Sequence, residues 1–114
     1  MTLAELKKKS RAQQFAWMRQ VIKEDAEISN ALYRNGKFCV IGGLANALGW
    51  SPHNSDGIKA YSLVERIPVV GGENRGNALW RTNDNHSEVK PRRRALLRLL
   101  SNWVKEDRVA ARAR

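Results

Sequence analysis

The chain has 114 residues, a length that predicts one domain, because two independent cores of half this size would be too small to be stable. Its 42% hydrophobic and 28% charged residues are typical of a globular protein. The net charge is +10 and the pI is about 10.5, which favours a polyanionic partner. Cys39 is the single cysteine, so no internal disulfide can form and a reducing cytosol is the expected compartment.

The sequence disfavours several other classes of protein. The longest uncharged apolar run, residues 38–45, is too short to cross a bilayer, and lysines follow Met1 too soon for a secretory signal. Two histidines and one cysteine make a structural zinc site improbable. Cys39 lies in the most apolar run, which indicates core packing rather than a nucleophile paired with His53 or His86. We therefore expect no catalytic residues, no cofactor and no metal.

The basic residues are concentrated in the two ends of the chain. Residues 1–35 contain seven Lys or Arg and four Asp or Glu, and residues 36–84 contain five and four. Residues 85–114 contain nine and three, which gives this segment a charge of +6. This division predicts that flanking helices supply electrostatic attraction while the centre discriminates among ligands.

Two helices are predicted before residue 36. Thr2 and Glu5 have the spacing of a capping box, and we expect a first helix over residues 3–23 with lysines in its first half. A second helix is expected over residues 25–34, ended by Asn35 and Gly36.

The central segment alternates short elements with turns. Residues 38–40 are typical of a short strand, and a compact helix is expected over residues 41–48, followed by Gly49. The next helix ends at residue 66, before Pro68, and its start is left open between Pro52 and Ser55. Residues 69–80 are interpreted as a β-hairpin, since two apolar segments flank a turn rich in Gly and Asn. All four tryptophans fall at predicted core positions.

A last helix is predicted over residues 88–111. At about 100° per residue, its apolar side chains cover an arc of about 160°, and several cations fall within about 80° on the other side. Arg92 and Arg93 lie outside this group of cations, near the helix start, where the helix dipole disfavours cations. Their position favours a contact with solvent or phosphate.

The order of elements and the string Ile41-Gly-Gly-Leu-Ala-Asn-Ala-Leu-Gly-Trp-Ser51 resemble a winged helix-turn-helix domain. Ala45 would be the small residue where two helices cross, and Gly49 the turn residue in a left-handed conformation. The resemblance covers residues 26–81. The sequence departs from the family pattern at Ser55, where the family has an apolar residue, and this leaves the base-reading residues open.

The resemblance implies that the third helix enters the major groove of duplex DNA and that the hairpin forms the wing. The residues expected to read bases are His53, Asn54, Ser55, Lys59 and Ser62, and those expected in the wing are Asn74, Arg75 and Asn77. Phosphate contacts are expected from Lys7, Lys8, Lys9, Arg92, Arg93, Arg94, Arg98, Lys105 and Arg108.

We therefore expect a mainly α fold with a small β wing, a winged helix-turn-helix core over residues 25–81 flanked by basic helices over 1–24 and 88–114. The predicted function is a double-stranded DNA-binding protein, a small transcriptional regulator or accessory factor whose compactness suggests a phage or plasmid source. A homodimer is expected, because the apolar faces of the terminal helices exceed what so short a core covers. The alternatives are a protein-targeting inhibitor that acts on a nucleic-acid-binding machine, with a host protein as its partner, and a binder of structured RNA.

Overall fold

The fold is built from helices that pack around one continuous apolar core. A computed structural model describes residues 1–24, 33–34, 37–52 and 57–113. Within these residues the helices are α1 (Leu3–Lys7), α2 (Arg11–Glu24), α3 (Val40–Ala47), α4 (Gly57–Glu65), α5 (Pro68–Gly71), α6 (Gly76–Asp84) and α7 (Val89–Arg112). Two short strands, β1 (Tyr33–Arg34) and β2 (Lys37–Phe38), pair antiparallel, with Tyr33 opposite Phe38.

α7 is the longest of these helices and lies between α2 and α6. It runs antiparallel to α2, because Arg11 at the start of α2 contacts Asp107 and Arg19 further along α2 contacts Ser101. α3 packs against α2, α4 and α6, and α5 packs against α2 and α4. α6 also packs against α4, which makes no substantial contact with α7.

The first predicted helix is two helices in the structure. Thr2 caps α1 as expected, since its hydroxyl oxygen accepts the Glu5 backbone N–H at 3.1 Å. A second capping box then restarts the chain at Ser10: the Ser10 hydroxyl accepts the Gln13 N–H at 3.1 Å, and the Gln13 side chain accepts the Ser10 N–H at 3.0 Å. This reciprocal pair explains why α2 begins at Arg11 rather than continuing from α1. The second predicted helix, over 25–34, lies outside the described residues except for Tyr33 and Arg34, which are in β1.

The pair α3–α4 has the local features predicted from the sequence. α3 begins one residue earlier than expected, because Cys39 caps it: its sulfur accepts the Gly42 N–H at 3.4 Å. Ala45 is fully buried and Gly49 has a φ of 102°, the left-handed conformation that glycine adopts without strain. Cys39 is buried as predicted, and burial raises the pKa of its thiol. The question of whether the third helix starts at Pro52 or Ser55 falls on residues 53–56, outside the described residues.

The predicted β wing is wrong. Residues 68–71 form α5 and residues 76–84 form α6, so the segment interpreted as a hairpin is helical and the fold is not a winged helix-turn-helix. Gly71 helps to explain the difference, because a Cβ at this position would lie 1.6 Å from the Glu65 carbonyl oxygen, so the chain packs closely against the end of α4. In α6 the buried residues Gly76, Leu79 and Asn83 follow helical spacing. Two of these three are not large and apolar, so the periodicity is weak in the sequence.

The apolar arc of α7 is covered within one chain. Leu96, Leu100 and Trp103 are buried between α2 and α6, and Leu97, Leu99 and Val104 pack at the edges of the same core. Because the core of one chain covers the apolar face of α7, this face no longer requires a second copy to cover it. The homodimer stays a prediction without structural support.

Candidate nucleic-acid interface

The side of α7 opposite the core carries a row of cations. At about 100° per residue they fall within an arc of about 80°, and at 1.5 Å per residue the row is about 33 Å long. All six are exposed in the structure. We call this row the α7 cationic face: Lys90, Arg94, Arg98, Lys105, Arg108 and Arg112.

The charges of the α7 cationic face are not neutralised by other described residues. Within the described part of the chain, none of the six cations forms an ion pair. The two acids in the second half of α7, Glu106 and Asp107, contact arginines on the side of α7 that faces the protein. The face therefore presents only positive charge to a ligand.

The inner side of the same end of α7 holds a compact group of opposite charges. We call it the α7 charge cluster: Arg11, Glu73, Arg75, Glu106 and Asp107. Asp107 accepts from Arg11 Nε at 2.6 Å and from Arg75 at 3.4 Å, Glu106 accepts from Arg75 at 3.0 Å, and Glu73 accepts from Arg11 at 3.2 Å. The hydrogen bond from Arg11 holds the pKa of the Asp107 carboxyl below its usual value and raises the pKa of Arg11.

Arg75 is a structural residue and not the exposed tip of a wing. It is only 7% exposed, and its guanidinium donates to the Val69 carbonyl oxygen at 3.0 Å. The guanidinium carbon lies 5.8 Å from the ring centroid of Phe15 and 5.2 Å from that of Trp103, distances typical of cation–π contacts. The predicted role of Arg75 in DNA contact depended on an exposed hairpin tip; the hairpin is wrong and Arg75 is buried, so the structure gives this role no support.

The cations of α7 that were predicted to contact phosphate fall into an exposed group and a group that is buried or half-buried. Arg94, Arg98, Lys105 and Arg108 belong to the α7 cationic face. Arg92 is 3% exposed and donates to the backbone carbonyl oxygens of Asn83, at 2.8 Å, and His86, so it joins the end of α6 to α7 and does not face a ligand. Arg93 is half-buried.

The three lysines at the start of the chain, Lys7, Lys8 and Lys9, are exposed and stay predicted phosphate contacts. Lys9 is two residues before Arg11, which contacts Asp107 on α7. Lys90 and Arg112 were not among the expected phosphate contacts, although the helical angles place both with the other cations.

Two of the predicted base-reading residues, Lys59 and Ser62, are exposed on α4, a helix that makes no substantial contact with α7. His53, Asn54 and Ser55 lie outside the described residues. The described base-reading residues are therefore on a different helix from the α7 cationic face.

The two asparagines predicted for the wing are in other settings. Asn74 has a φ of 55° in the turn between α5 and α6, where asparagine tolerates the left-handed conformation. Asn77 is exposed in the first turn of α6, and its side-chain oxygen accepts from the Tyr61 hydroxyl at 2.8 Å and from the Trp80 indole N–H at 3.1 Å.

Trp80 differs most clearly from its predicted position. Trp50 and Trp103 are buried and Trp17 is half-buried, in line with core positions, but Trp80 is 39% exposed. Arg81 lies beside it, with its guanidinium carbon 5.7 Å from the ring centroid. The hairpin predicted over residues 69–80 would bury Trp80 beneath its strands. Because residues 76–84 form α6 instead, this side chain is exposed.

Comparisons with protein-family models, with curated proteins and with solved structures found no match to this chain. Every helix in the described ranges is too short or too polar to cross a membrane. In the same ranges, no three His, Cys, Asp or Glu side chains come together as metal ligands.

Proposed function

We propose that this protein binds double-stranded DNA by laying the α7 cationic face along the phosphate backbone. The observation that carries the proposal is the row of six exposed cations on one straight helix, none paired with another described residue. A rigid row of cations about 33 Å long suits a rigid polyanion. Each phosphate that is neutralised releases counterions, which makes binding favourable at low salt.

Phosphate contacts position a protein on DNA but carry no sequence information of their own. The proposed role is therefore that of an accessory factor that binds many sequences, with its site of action in the cytosol. A transcriptional regulator would also need base contacts, and the exposed residues of α4 would have to supply them.

The test compares two double variants that remove the same charge from different sides. Arg94→Gln with Arg98→Gln removes two cations from the α7 cationic face, and Lys59→Gln with Arg66→Gln removes two exposed cations from the α4 side. Binding to a labelled duplex of mixed sequence is measured by fluorescence anisotropy at several salt concentrations. Six phosphate contacts predict that log K falls with log salt with a slope of about −5 for the natural protein.

We expect the α7 double variant to bind more weakly to every duplex and to lose about two units of that slope. The α4 double variant should keep the natural slope. Equal losses in both variants, or a larger loss in the α4 variant, would contradict the proposal and indicate the α4 surface. If the natural protein binds no duplex even at about 50 mM salt, the proposal fails and an acidic protein partner becomes the better candidate.

A further inference from the structure

Trp80 lies in a small polar and aromatic group formed between α6 and α4. The group consists of Trp80, Asn77 and Arg81 on α6 and Tyr61 on α4, and we call it the Trp80 platform. The side-chain oxygen of Asn77 accepts hydrogen bonds from both Tyr61 and Trp80, so both of its lone pairs are used. The indole ring is therefore held in place although 39% of the residue is exposed.

Close packing of α4 against α6 supports this arrangement. A Cβ at Gly76 would lie 2.8 Å from the Tyr61 hydroxyl, so glycine at this position lets the Tyr61 ring reach Asn77. Burial raises the pKa of the Tyr61 phenol, and nearby Glu65 adds to the increase, so the hydroxyl stays protonated as the donor to Asn77. The ring of Trp80 is thus oriented before any ligand arrives.

The charge beside the ring also points to a nucleic-acid ligand. Arg81 is exposed, lies over the Trp80 ring and forms no ion pair with the described residues. The two amide N–H groups of Asn77 make no hydrogen bond to described residues and can serve as donors. An oriented aromatic face beside a guanidinium and an amide donor is the combination that stacks and holds an unpaired base.

We propose that the Trp80 platform binds one unpaired nucleobase of a single-stranded nucleic acid, with the base stacked on Trp80 and Arg81 at the neighbouring phosphate. A paired base inside a duplex cannot stack on this ring, so the platform selects single-stranded segments. RNA and single-stranded DNA share this chemistry. The platform lies on α4 and α6 and the cationic face on α7, and the two share no residue, so either proposal can fail without the other.

The test measures binding of labelled 12-nucleotide oligoadenylates, one of RNA and one of DNA, and of a 12-base-pair duplex. The variants are Trp80→Ala, which removes the ring, and Trp80→Phe, which keeps a smaller aromatic face. Ile58→Ala is the matched control, because Ile58 is an apolar side chain on α4 that is 80% exposed. Thermal melting of each variant is followed by circular dichroism.

We expect Trp80→Ala to weaken single-strand binding between about 5-fold and about 100-fold, with duplex affinity and its salt slope unchanged. Trp80→Phe should retain part of the affinity, and Ile58→Ala all of it. Base stacking should also quench the indole fluorescence of the natural protein, and this quenching should be absent in Trp80→Phe. A larger effect with the RNA or with the DNA oligonucleotide identifies the source of the base.

Unchanged single-strand affinity in Trp80→Ala would overturn this inference. So would equal losses of single-strand and duplex affinity in a variant with a lowered melting temperature, because Trp80 would then only stabilise the fold. If the natural protein binds the duplex but neither oligoadenylate, the Trp80 platform fails while the proposal for the α7 cationic face stands. If it binds only the oligoadenylates, the proposal for the α7 cationic face fails while that for the Trp80 platform stands.

Discussion

The two faces of α7 use the same residue types for opposite purposes. On the inner face, the α7 charge cluster sets two arginines against three carboxylates, and Arg75 is nearly covered by Phe15 and Trp103. On the outer face, six cations are exposed and face no described acid. The difference shows that the number of basic residues in a helix does not measure its capacity to bind a polyanion. Only the cations left without internal partners contribute.

The largest expected effect is a difference in the free energy of unfolding between variants of the two faces of α7. Arg75→Met should lower the free energy of unfolding by about 2–4 kcal/mol, because it leaves the Val69 carbonyl oxygen without this donor and takes one of two arginines from Asp107. Arg98→Met, the matched change on the outer face, should alter it by less than about 0.5 kcal/mol. Urea denaturation followed by circular dichroism measures both. Similar losses in the two variants would show that the inner cluster does not hold α7 in place.

A smaller effect should appear in the pH dependence of stability. Because the pKa of Asp107 is lowered in the folded protein, its carboxylate stabilises the fold at neutral pH, and this contribution is lost as the pH falls through the folded-state pKa, below about 4. Asp107→Asn should therefore cost about 1.5–3 kcal/mol at pH 7 and progressively less below pH of about 4.

Urea denaturation at a series of pH values measures this difference between the natural protein and Asp107→Asn. Glu88→Gln serves as the control, because Glu88 is an exposed carboxylate outside the α7 charge cluster. Its profile should follow that of the natural protein at every pH. A difference between Asp107→Asn and the natural protein that stays constant down to the acid limit would contradict the assignment of Asp107 as an ionised partner of Arg11.

The smallest expected effect is a gain in stability on the outer face. Arg94 and Arg98 are four residues apart on one helix, and like charges at this spacing repel. Arg98→Gln should raise the free energy of unfolding by about 0.2–0.5 kcal/mol at low salt, and this gain should disappear at high salt. The same variant should bind duplex DNA less tightly. A variant that loses both stability and affinity would mean that Arg98 has a structural partner.

The sequence by itself determined the elements whose signals are local. The Thr2 cap, the left-handed Gly49 after α3 and the amphipathic pattern of α7 follow from side chains within a few residues of one another, and the structure has all three. The outward position of Arg94, Arg98, Lys105 and Arg108 was predicted for the same reason, since a helix that buries Leu96 and Leu100 must turn these cations to solvent.

Only the tertiary structure decided the elements that depend on distant partners. Residues 76–84 are helical because Asn83 and Gly76 can be buried there: the Asn83 side chain accepts the Val40 N–H at 3.0 Å, and Gly76 gives room to Tyr61. Arg75 turns inward because the carboxylates of Glu106 and Asp107, on another helix, accept from it there. Arg92 turns inward because the turn after α6 brings the carbonyl groups of Asn83 and His86 to it. The sequence pattern around each arginine does not reveal these partners. For this reason the sequence predicted a wing with an exposed Arg75 and a buried Trp80, and the packing of α6 between α4 and α7 reversed both positions.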